Sequence, residues 1–395
     1  MHKGKEAFKS VFLLFLIIAS LLQTWELWLS RNVGRNFFTF AASAQINSYT
    51  DVFLRPSQRL TWLSPNRFKM EHVPSDSFGI TLISEALSTG NYTFTGSDFN
   101  QRSIIYKYNF PMPAWALNAK IPMEYFDTIM FIPSSQVTGR IYVHFLSGNY
   151  GPLFTFTSGS YHDIINNFIQ QTNLLPGDMY YVSTDLMGFA LEQNFFVPRR
   201  RGGNLTGNSV VKINNHYVYE PNAIEIGESV SIFFPNSFWP IVREDLLIFG
   251  DQNIVVRYFD NMLEYINHNP RGNVGNLLSD FDIAMDFISG DVMVTNQTIL
   301  SRFTPLETGT KFYFDYIINN LPVFHTETHW IEITVEYGTV TRYGKITYSL
   351  ETTTQTLYIE TDIIDLINSA GLGVRGLSFG YVVGEEVNLN WVYIP

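Results

Sequence analysis

The stretch Trp330–Tyr337, WIEITVEY, decides the fold class, because apolar and polar side chains alternate along it. A period of two residues is typical of a β-strand whose two faces meet different surroundings. The pattern therefore predicts a strand. The residues on its faces are Ile331, Ile333 and Val335 on one side, and Glu332, Thr334 and Glu336 on the other.

Further elements are predicted towards the C-terminus. Gly338 and Gly344 mark turns, since glycine is common where a chain reverses. Ile363–Ile367 predicts a short helix. Between these points, β-branched and apolar residues predict three more strands, which are Thr339–Arg342, Lys345–Leu350 and Leu357–Ile359.

Upstream, short apolar runs recur between turn residues. Asp245–Phe249 and Ile254–Phe259 predict two strands around a turn at Gly250 and Asp251. Runs bounded by prolines favour strands and loops over long helices. The earlier strands predicted in this way are Ile104–Tyr108, Thr128–Ile132 and Arg140–Phe145.

Two segments break this β pattern. In 161–173, Ile164, Ile165 and Phe168 have helical spacing, which predicts a helix. The segment 198–208, PRRRGGNLTGN, predicts a loop, because its proline, glycines and asparagines interrupt regular structure.

Together these elements predict an α+β protein in which antiparallel sheets dominate. A chain of 395 residues exceeds one ordinary core, so we expect several domains. The predicted parts are a cytoplasmic tail with a transmembrane helix at 1–30, an N-terminal extracytoplasmic domain at 31–160, a middle α+β domain at 161–285 and a C-terminal β-rich domain at 286–395.

The apolar segment 11–29 predicts the transmembrane helix. Its length corresponds to about 28 Å of helix, close to the hydrocarbon core of a bilayer. Three lysines precede it and two tryptophans lie near its far end, so we expect the N-terminus in the cytoplasm and the body outside. The alternative is a cleaved signal peptide, although the small-residue pattern Ala42-Ser43-Ala44 lies about twenty residues beyond the apolar core.

A polar stripe runs along this predicted helix. Ser20, Gln23, Thr24 and Leu27 fall on one face at helical spacing. Polar groups at membrane depth usually face a partner or reach the headgroups. The stripe is therefore a candidate partner-binding face, with contact to the membrane interface as the alternative.

Composition excludes several classes of function. The net charge of −11 and the absence of dense basic clusters apart from Arg199–Arg201 argue against nucleic-acid binding. No cysteine is present, which excludes disulfides, thiolate metal sites and cysteine nucleophiles. The lack of thiols also agrees with an exported protein.

No sequence motif of a common enzyme class is present. The chain has no Gly-x-Ser-x-Gly elbow, phosphate-binding loop, His-Glu-x-x-His or dinucleotide fingerprint. Acidic pairs such as Asp280 and Asp282 are interpreted as solvated or helix-capping residues. We predict that the chain is not an enzyme and uses no cofactor.

The best candidate for a metal site is the segment 325–329, HTETH. On a strand, His325, Glu327 and His329 would share a face and could converge on a metal ion. The alternative, which we favour, is the polar face of an antiparallel strand whose Phe324, Trp330 and Ile331 pack inward near a bend, so no metal ligand is assigned.

Three segments point to a known family. Lys9-Ser10 leads into the apolar run that closes with 24–28, TWELW; 247–251, LIFGD, is followed by 255–257, VVR; and 320–324, NLPVF, has Asn320 where a Gly-Leu-Pro-Val-Phe pattern is usual. In these segments, and in their order, the chain resembles the YycH regulatory proteins of low-GC Gram-positive bacteria.

The resemblance implies a non-enzymatic regulator that spans the membrane once. Such a protein associates with a YycI-like single-pass membrane protein, and both contact the sensor histidine kinase of a cell-wall two-component system through their transmembrane helices. The alternative is a membrane-tethered module that binds cell-wall glycan through exposed aromatic side chains. Aromatic residues of all kinds make up 16 % of the sequence.

Overall fold

The computed structural model divides the chain into two compact units, Met1–Asn47 and Ser48–Pro395. All residues that the structure describes belong to the second unit. They are 50–74, 91–117, 120–174, 179–182, 196–198, 203–213, 241–243, 246–250, 253–259, 262–289, 298–347, 349–359, 376–384 and 387–394.

Two predicted helices, at 11–29 and at Ile363–Ile367, lie outside the described residues. Within the described ranges, no helix combines the length and the apolar character that a membrane crossing requires. The predicted domain boundaries stay predictions.

The described residues form four helices and 22 strands. The helices are α1 (Thr50–Phe53), α2 (Ala114–Leu117), α3 (Gly159–Leu174) and α4 (Leu277–Ile288). The first eleven strands are β1 (Gln58–Ser64), β2 (Arg67–His72), β3 (Tyr92–Gly96), β4 (Ile104–Pro113), β5 (Tyr125–Pro133), β6 (Arg140–Leu146), β7 (Tyr150–Thr157), β8 (Met179–Val182), β9 (Phe196–Pro198), β10 (Gly203–Ile213) and β11 (Ile241–Arg243). The others are β12 (Leu246–Gly250), β13 (Ile254–Phe259), β14 (Met262–Asn267), β15 (Thr298–Pro305), β16 (Gly309–Ile318), β17 (Leu321–His325), β18 (Ile331–Glu336), β19 (Thr339–Ile346), β20 (Ser349–Ile359), β21 (Gly376–Val383) and β22 (Val387–Ile394).

These strands form two large sheets and one two-stranded ribbon. The nine-stranded sheet has the order β3-β7-β6-β5-β4-β1-β2-β8-β9. The eleven-stranded sheet has the order β11-β12-β13-β14-β19-β18-β16-β17-β21-β22, with β15 paired to β16, and the ribbon pairs β10 with β20. Among the described strands only β17 and β21 pair in parallel. The described structure is thus mostly antiparallel sheet with few helices, which confirms the β-rich α+β class.

Helix α3 packs on the nine-stranded sheet and confirms the helix predicted at 161–173. Ile165 and Ile169 are fully buried, and Phe168 is partly buried against the same core. Ile164, which the sequence placed with the apolar residues, is exposed. The buried face of the helix therefore contains Ile165, Phe168 and Ile169, because residues three and four apart share a helix face.

Helix α4 covers the eleven-stranded sheet, and the strand predicted from WIEITVEY lies under it. Ile331, Ile333 and Val335 of β18 are fully buried, as their alternation predicts. The ring of Phe281 on α4 packs edge-on against Phe312 of β16, with ring centroids 5.4 Å apart. Sheet and helix thus bury one another's apolar faces.

The two large sheets share one hydrophobic core. Phe53 of α1 packs against Phe281, at 5.0 Å between ring centroids, and against Phe303 of β15, at 6.3 Å. Gln58 Nε2 of β1 donates a hydrogen bond of 2.7 Å to the carbonyl oxygen of Leu377 on β21. We call this region the junction, and it joins segments more than 200 residues apart in sequence.

Two predictions about loops are wrong. Residues 203–208 belong to β10, which pairs antiparallel with β20 from Gly203–Ile359 to Ile213–Ser349. Gly344 lies inside β19, opposite Glu264 of β14 and Glu332 of β18. In both cases distant strands supply the hydrogen-bonded partners, and tertiary pairing overrides the local tendency of glycine and asparagine to form turns. As a result, the strand predicted at Lys345–Leu350 is divided between β19 and β20.

The other predicted strands are present. β4, β5 and β6 contain the three runs predicted in the N-terminal half, and β12 pairs antiparallel with β13 as predicted. Gly338 has a φ of +67° and closes the turn between β18 and β19. That conformation is one that glycine adopts without a steric penalty.

A neutral histidine lies at the junction. His72, at the end of β2, packs against Phe379 and Trp391 of the eleven-stranded sheet, with ring centroids 5.8 and 6.4 Å away. Neither of its ring nitrogens has a hydrogen-bond partner among the described residues. Burial lowers the pKa of His72 from 6.5 to about 4, because a charged imidazole is poorly solvated among apolar rings.

Acidification should weaken the fold through His72. The unfolded chain binds this proton near pH 6.5 but the folded chain only near pH 4, so stability is lost as the pH falls from 6.5 and the loss is complete below 4. At pH 5 the group should lower the free energy of unfolding by about 2 kcal/mol. Urea unfolding at pH 7 and at pH 5 measures this loss of stability. The loss should be smaller in the variant His72→Leu. It should be unchanged in the control His268→Leu, which alters an exposed histidine. Equal pH dependence in both variants would contradict it.

Candidate functional site

A cavity of about 210 Å³ opens at the junction between the two large sheets. Trp115 of α2 and Tyr125 of β5 line it on the side of the nine-stranded sheet. Asp280 of α4, Phe303 of β15 and Thr310 of β16 line it on the other side. It is smaller than the roughly 300–1,000 Å³ of common small-molecule pockets, so it suits a single chemical group.

Asp280 reaches the cavity from the first turn of α4. The helix begins at a capping box in which Asn276 Oδ1 accepts a hydrogen bond of 3.0 Å from the Ser279 backbone N–H. Ser279 Oγ accepts one of 2.9 Å from the Asn276 backbone N–H. These bonds fix the start of the helix and place Asp280 on the face that α4 buries, where only 1 % of the residue is exposed.

The two carboxylate oxygens of Asp280 differ in their surroundings. Oδ2 accepts a hydrogen bond of 2.9 Å from Thr310 Oγ1. Oδ1 is buried and has no hydrogen-bond partner among the described residues. Burial raises the pKa of Asp280, and the Thr310 hydrogen bond opposes this shift. A buried acceptor without a partner is uncommon in native proteins and needs an explanation.

Gly275 is the close backbone neighbour of the free oxygen. A Cβ atom at this position would lie 2.3 Å from Asp280 Oδ1 and 2.7 Å from Ser279 Oγ. Such distances are far below van der Waals contact, so any side chain here would displace the carboxylate. Glycine therefore permits the observed position of Asp280.

The interpretation of Asp280 as a solvated or capping residue is wrong, because Asn276 and Ser279 form the cap and Asp280 is buried. A periodicity signal was available in the sequence. Position 280 falls three residues after Leu277 and four before Ala284, both of which lie on the apolar face of the helix. An aspartate on the apolar stripe of a helix indicates a buried carboxylate.

The mouth of the cavity is aromatic and uncharged. Trp115 is 47 % exposed and Tyr125 is 39 % exposed, and Val274 and Leu306 are exposed beside them. Of the described residues that line the cavity, none is a lysine or an arginine. The cavity therefore has an aromatic and apolar mouth, and the buried Asp280 is part of its wall.

The segment HTETH does not form the predicted strand face. β17 ends at His325, and His325 Nδ1 accepts hydrogen bonds from the backbone N–H groups of Glu327, at 3.2 Å, and Thr328, at 3.3 Å. These bonds bend the chain, so the alternate positions do not point together. Across the described ranges, no group of three or more histidine, aspartate or glutamate residues is placed to hold a metal ion.

His329 instead joins a cluster around Asp315 of β16. Its Nδ1 lies 3.4 Å from Asp315 Oδ1, and Ser301 Oγ donates a hydrogen bond to Asp315 Oδ2. A serine nucleophile needs a hydrogen bond to its base. Here the serine and the histidine both contact the carboxylate, so the cluster orients the imidazole without activating the serine.

A second exposed feature lies at the other end of the nine-stranded sheet. Tyr92 and Phe94 of β3 and Tyr150 of β7 form what we call the β3 aromatic cluster. The rings of Phe94 and Tyr150 stack with centroids 6.0 Å apart, and Tyr150 is 57 % exposed. Its members come from two strands brought together by the ladder, so their grouping was not visible in the sequence.

The residues predicted to bind a partner, Ser20, Gln23, Thr24 and Leu27, lie outside the described residues. Their role stays a prediction.

The fold is similar to that in the crystal structure of YycH from Bacillus subtilis. The two structures share 11 % sequence identity with a TM-score of 0.54. The match covers 88 % of this chain and 96 % of that chain. The resemblance found in three short sequence segments is thereby confirmed as a shared fold.

A crystal structure of an uncharacterized protein from Eubacterium rectale ATCC 33656 matches a smaller part, with 10 % identity and a TM-score of 0.34. This match covers 51 % of the present chain and 80 % of the other. No protein-family model matches the sequence, and no curated protein matches it.

Replacing Asp280 by asparagine should stabilise the fold at pH 7. The pKa of the folded carboxyl is raised above the 3.8 of the unfolded chain. The wild-type protein therefore loses stability as the pH rises from 3.8 through the raised pKa of the folded state. Asparagine keeps the shape and an acceptor for Thr310 but carries no charge. We expect a higher urea midpoint for Asp280→Asn than for wild type at pH 7, with a gap that narrows towards pH 4.

A suitable control is Asp286→Asn, which changes an exposed aspartate on the same helix. Its free energy of unfolding should stay within about 0.5 kcal/mol of wild type. A lower midpoint for Asp280→Asn at pH 7 would show that the carboxylate has a stabilising partner.

Proposed function

We propose that this chain is a membrane-anchored extracytoplasmic regulator of a sensor histidine kinase in a cell-wall two-component system. In this proposal it binds the kinase together with a YycI-like single-pass membrane protein and modulates kinase activity. The observation that carries the proposal is the fold shared with YycH over 88 % of this chain and 96 % of that one.

The chemistry of the described residues supports a role in binding over one in catalysis. The Ser301, His329 and Asp315 cluster lacks the serine–histidine contact of a nucleophilic site. The buried carboxylate of Asp280 is accompanied in its cavity by apolar and aromatic side chains and one threonine. A non-enzymatic regulator needs surfaces that recognise partners, and both exposed aromatic features could serve that purpose.

The anchor in this proposal is the apolar segment 11–29, with the N-terminus in the cytoplasm and the described residues outside. Its polar stripe, Ser20, Gln23, Thr24 and Leu27, faces the transmembrane helices of the kinase and of the YycI-like protein. Hydrogen bonds between side chains of neighbouring membrane helices would then contribute to the affinity of the complex.

Removing the polar groups of the stripe should weaken the complex. Interhelical hydrogen bonds contribute about 0.6–1.7 kcal/mol each, so Gln23→Leu with Thr24→Leu should lower co-purification of the kinase and of the YycI-like protein about ten-fold. The control pair Gln23→Asn with Thr24→Ser keeps the polarity and should retain most of the complex. Unchanged recovery with the leucine pair would disprove the stripe.

A second function, a membrane-tethered module that binds cell-wall glycan, is favoured by the β3 aromatic cluster. Exposed aromatic rings pack against the apolar faces of sugars, and Tyr150 and Phe94 present neighbouring rings to solvent. This alternative uses the same anchor but needs no kinase.

Sedimentation with purified peptidoglycan distinguishes the two functions. For the kinase regulator we expect little retention of the full chain and no effect of Tyr150→Ala. Strong retention that Tyr150→Ala reduces, and that the equally aromatic control Trp115→Ala leaves intact, would favour the glycan-binding module.

A further inference from the structure

β3 is an open edge of the nine-stranded sheet. The strand ends this sheet, so no described strand lies on its outer side. Natural edge strands are commonly protected by short length, proline or charge. β9 has three residues and ends at Pro198, and β11 has three residues and ends at Arg243. β3 has five residues, YTFTG, with neither a charge nor a proline. Its edge is therefore suited to pairing with another strand.

The outward hydrogen-bonding groups of β3 follow from its register with β7. The backbone N–H of Ser97, just after β3, donates a hydrogen bond of 2.9 Å to the carbonyl oxygen of Asn149, just before β7. Hydrogen-bonded and non-hydrogen-bonded pairs alternate along an antiparallel ladder. Every second residue of β3 therefore bonds to β7, and the residues between direct their backbone N–H and C=O groups outwards. These outward residues are Tyr92, Phe94 and Gly96.

This edge is complementary to itself. When two copies of β3 run antiparallel with Phe94 opposite Phe94, Tyr92 of each copy lies opposite Gly96 of the other. All three outward residues then exchange backbone hydrogen bonds across the edge. A shift of the register by two residues would leave either Tyr92 or Gly96 without a partner in the opposite strand. The self-paired register is therefore the one that satisfies the most backbone groups.

The side chains agree with the same register. A Cβ atom at Gly96 would have one described neighbour within 4 Å, the Asn149 carbonyl oxygen at 3.9 Å, so space remains for the tyrosine ring of a second copy. Tyr92 is 44 % exposed and Phe94 is 47 % exposed. Pairing would remove part of both rings from water in each copy, and cross-strand aromatic contacts stabilise such pairs.

We propose that β3 pairs antiparallel with β3 of a second copy of this chain, with Phe94 opposite Phe94 across a two-fold axis. Each edge then protects the other, and the two nine-stranded sheets become continuous. An edge of five residues is short, and interfaces below about 1,200 Å² are typical of weak association, so we expect a dissociation constant of about 0.1 mM. This dimer goes beyond the proposed regulatory function and requires neither a kinase nor a YycI-like protein.

Disulfide crosslinking tests the register, because the chain contains no cysteine of its own. In the proposed dimer Thr93 lies opposite Thr95 of the second copy in a non-hydrogen-bonded pair, with Cα atoms about 4.5 Å apart and within disulfide reach. Two copies of Thr93 lie about 7–8 Å apart. A mixture of full-length Thr93→Cys and Thr95→Cys should therefore crosslink about ten-fold faster than either variant alone. Thr93→Cys mixed with the control Thr157→Cys, at an exposed position on β7, should show no such gain.

Charges at position 94 test the two-fold symmetry. Phe94→Lys places two lysines opposite each other and Phe94→Glu two glutamates, and like charges in this position destabilise a strand pair. Each variant alone should associate at least ten-fold more weakly than wild type, and an equal mixture of the two should recover association. Sedimentation velocity of the full chain in detergent micelles measures this, in about 0.15 M salt to screen the net charge of −11 on each copy.

The control for these variants is Ile164→Lys, which alters an exposed apolar residue on α3 and should associate like wild type. Circular dichroism checks that each variant is folded. A wild type that stays monomeric up to about 0.5 mM, equal crosslinking in the single variants and the mixture, or unchanged association of Phe94→Lys would overturn the proposal. Retention of a monomeric chain on peptidoglycan through β3 would also overturn it.

These results are separate from the test of the regulatory function. Association through the segment 11–29 would not respond to a charge at Phe94, and none of the measurements involves a kinase. The strand pairing and the proposed function can therefore fail independently.

Discussion

Phe281 packs its ring against Phe53 of α1 on one side and against Phe312 and Phe314 of β16 on the other. Phe53 also lies against Phe303, which extends the contact to β15. Burying one large apolar side chain contributes about 1.5–3 kcal/mol. A partly exposed ion pair such as Lys311–Glu332 contributes about 1 kcal/mol or less. Phe303 also packs edge-on against Phe110 of β4, with ring centroids 5.6 Å apart, so aromatic packing joins the two large sheets.

The position of Asp280 follows from this packing. Residues 280 and 281 are neighbours on α4, and the helix that buries Phe281, Ala284 and Ile288 turns Asp280 to the same side. A carboxylate in this place costs stability, since its charge is poorly solvated and one oxygen has no partner among the described residues. Groups of this kind are concentrated at functional sites, so the junction is a candidate functional site.

Local periodicity predicted the elements whose own residues determine their structure. β18 follows from the alternation in WIEITVEY, and α3 from the helical spacing of Ile165 and Phe168. The same reasoning failed at residues 203–208, which pair with the distant β20, and at Gly344, which pairs with the distant β14. For Asp280 the helical stripe held the signal, but the cavity beside it needs α2, β5 and β15 to be placed together.

The sequence by itself determined the β-rich class, the positions of strands such as β4, β5, β6, β13 and β18, and the resemblance to YycH, because alternation and short motifs are properties of neighbouring residues. It also predicted a transmembrane helix at 11–29 with a polar stripe, and both stay predictions. Only the tertiary structure decided that Asp280 is buried with one oxygen that has no hydrogen-bond partner among the described residues, and that Tyr92, Phe94 and Tyr150 form one surface. These features depend on contacts between segments far apart in the chain, and the spacing of residues along a sequence does not encode which distant strands will meet.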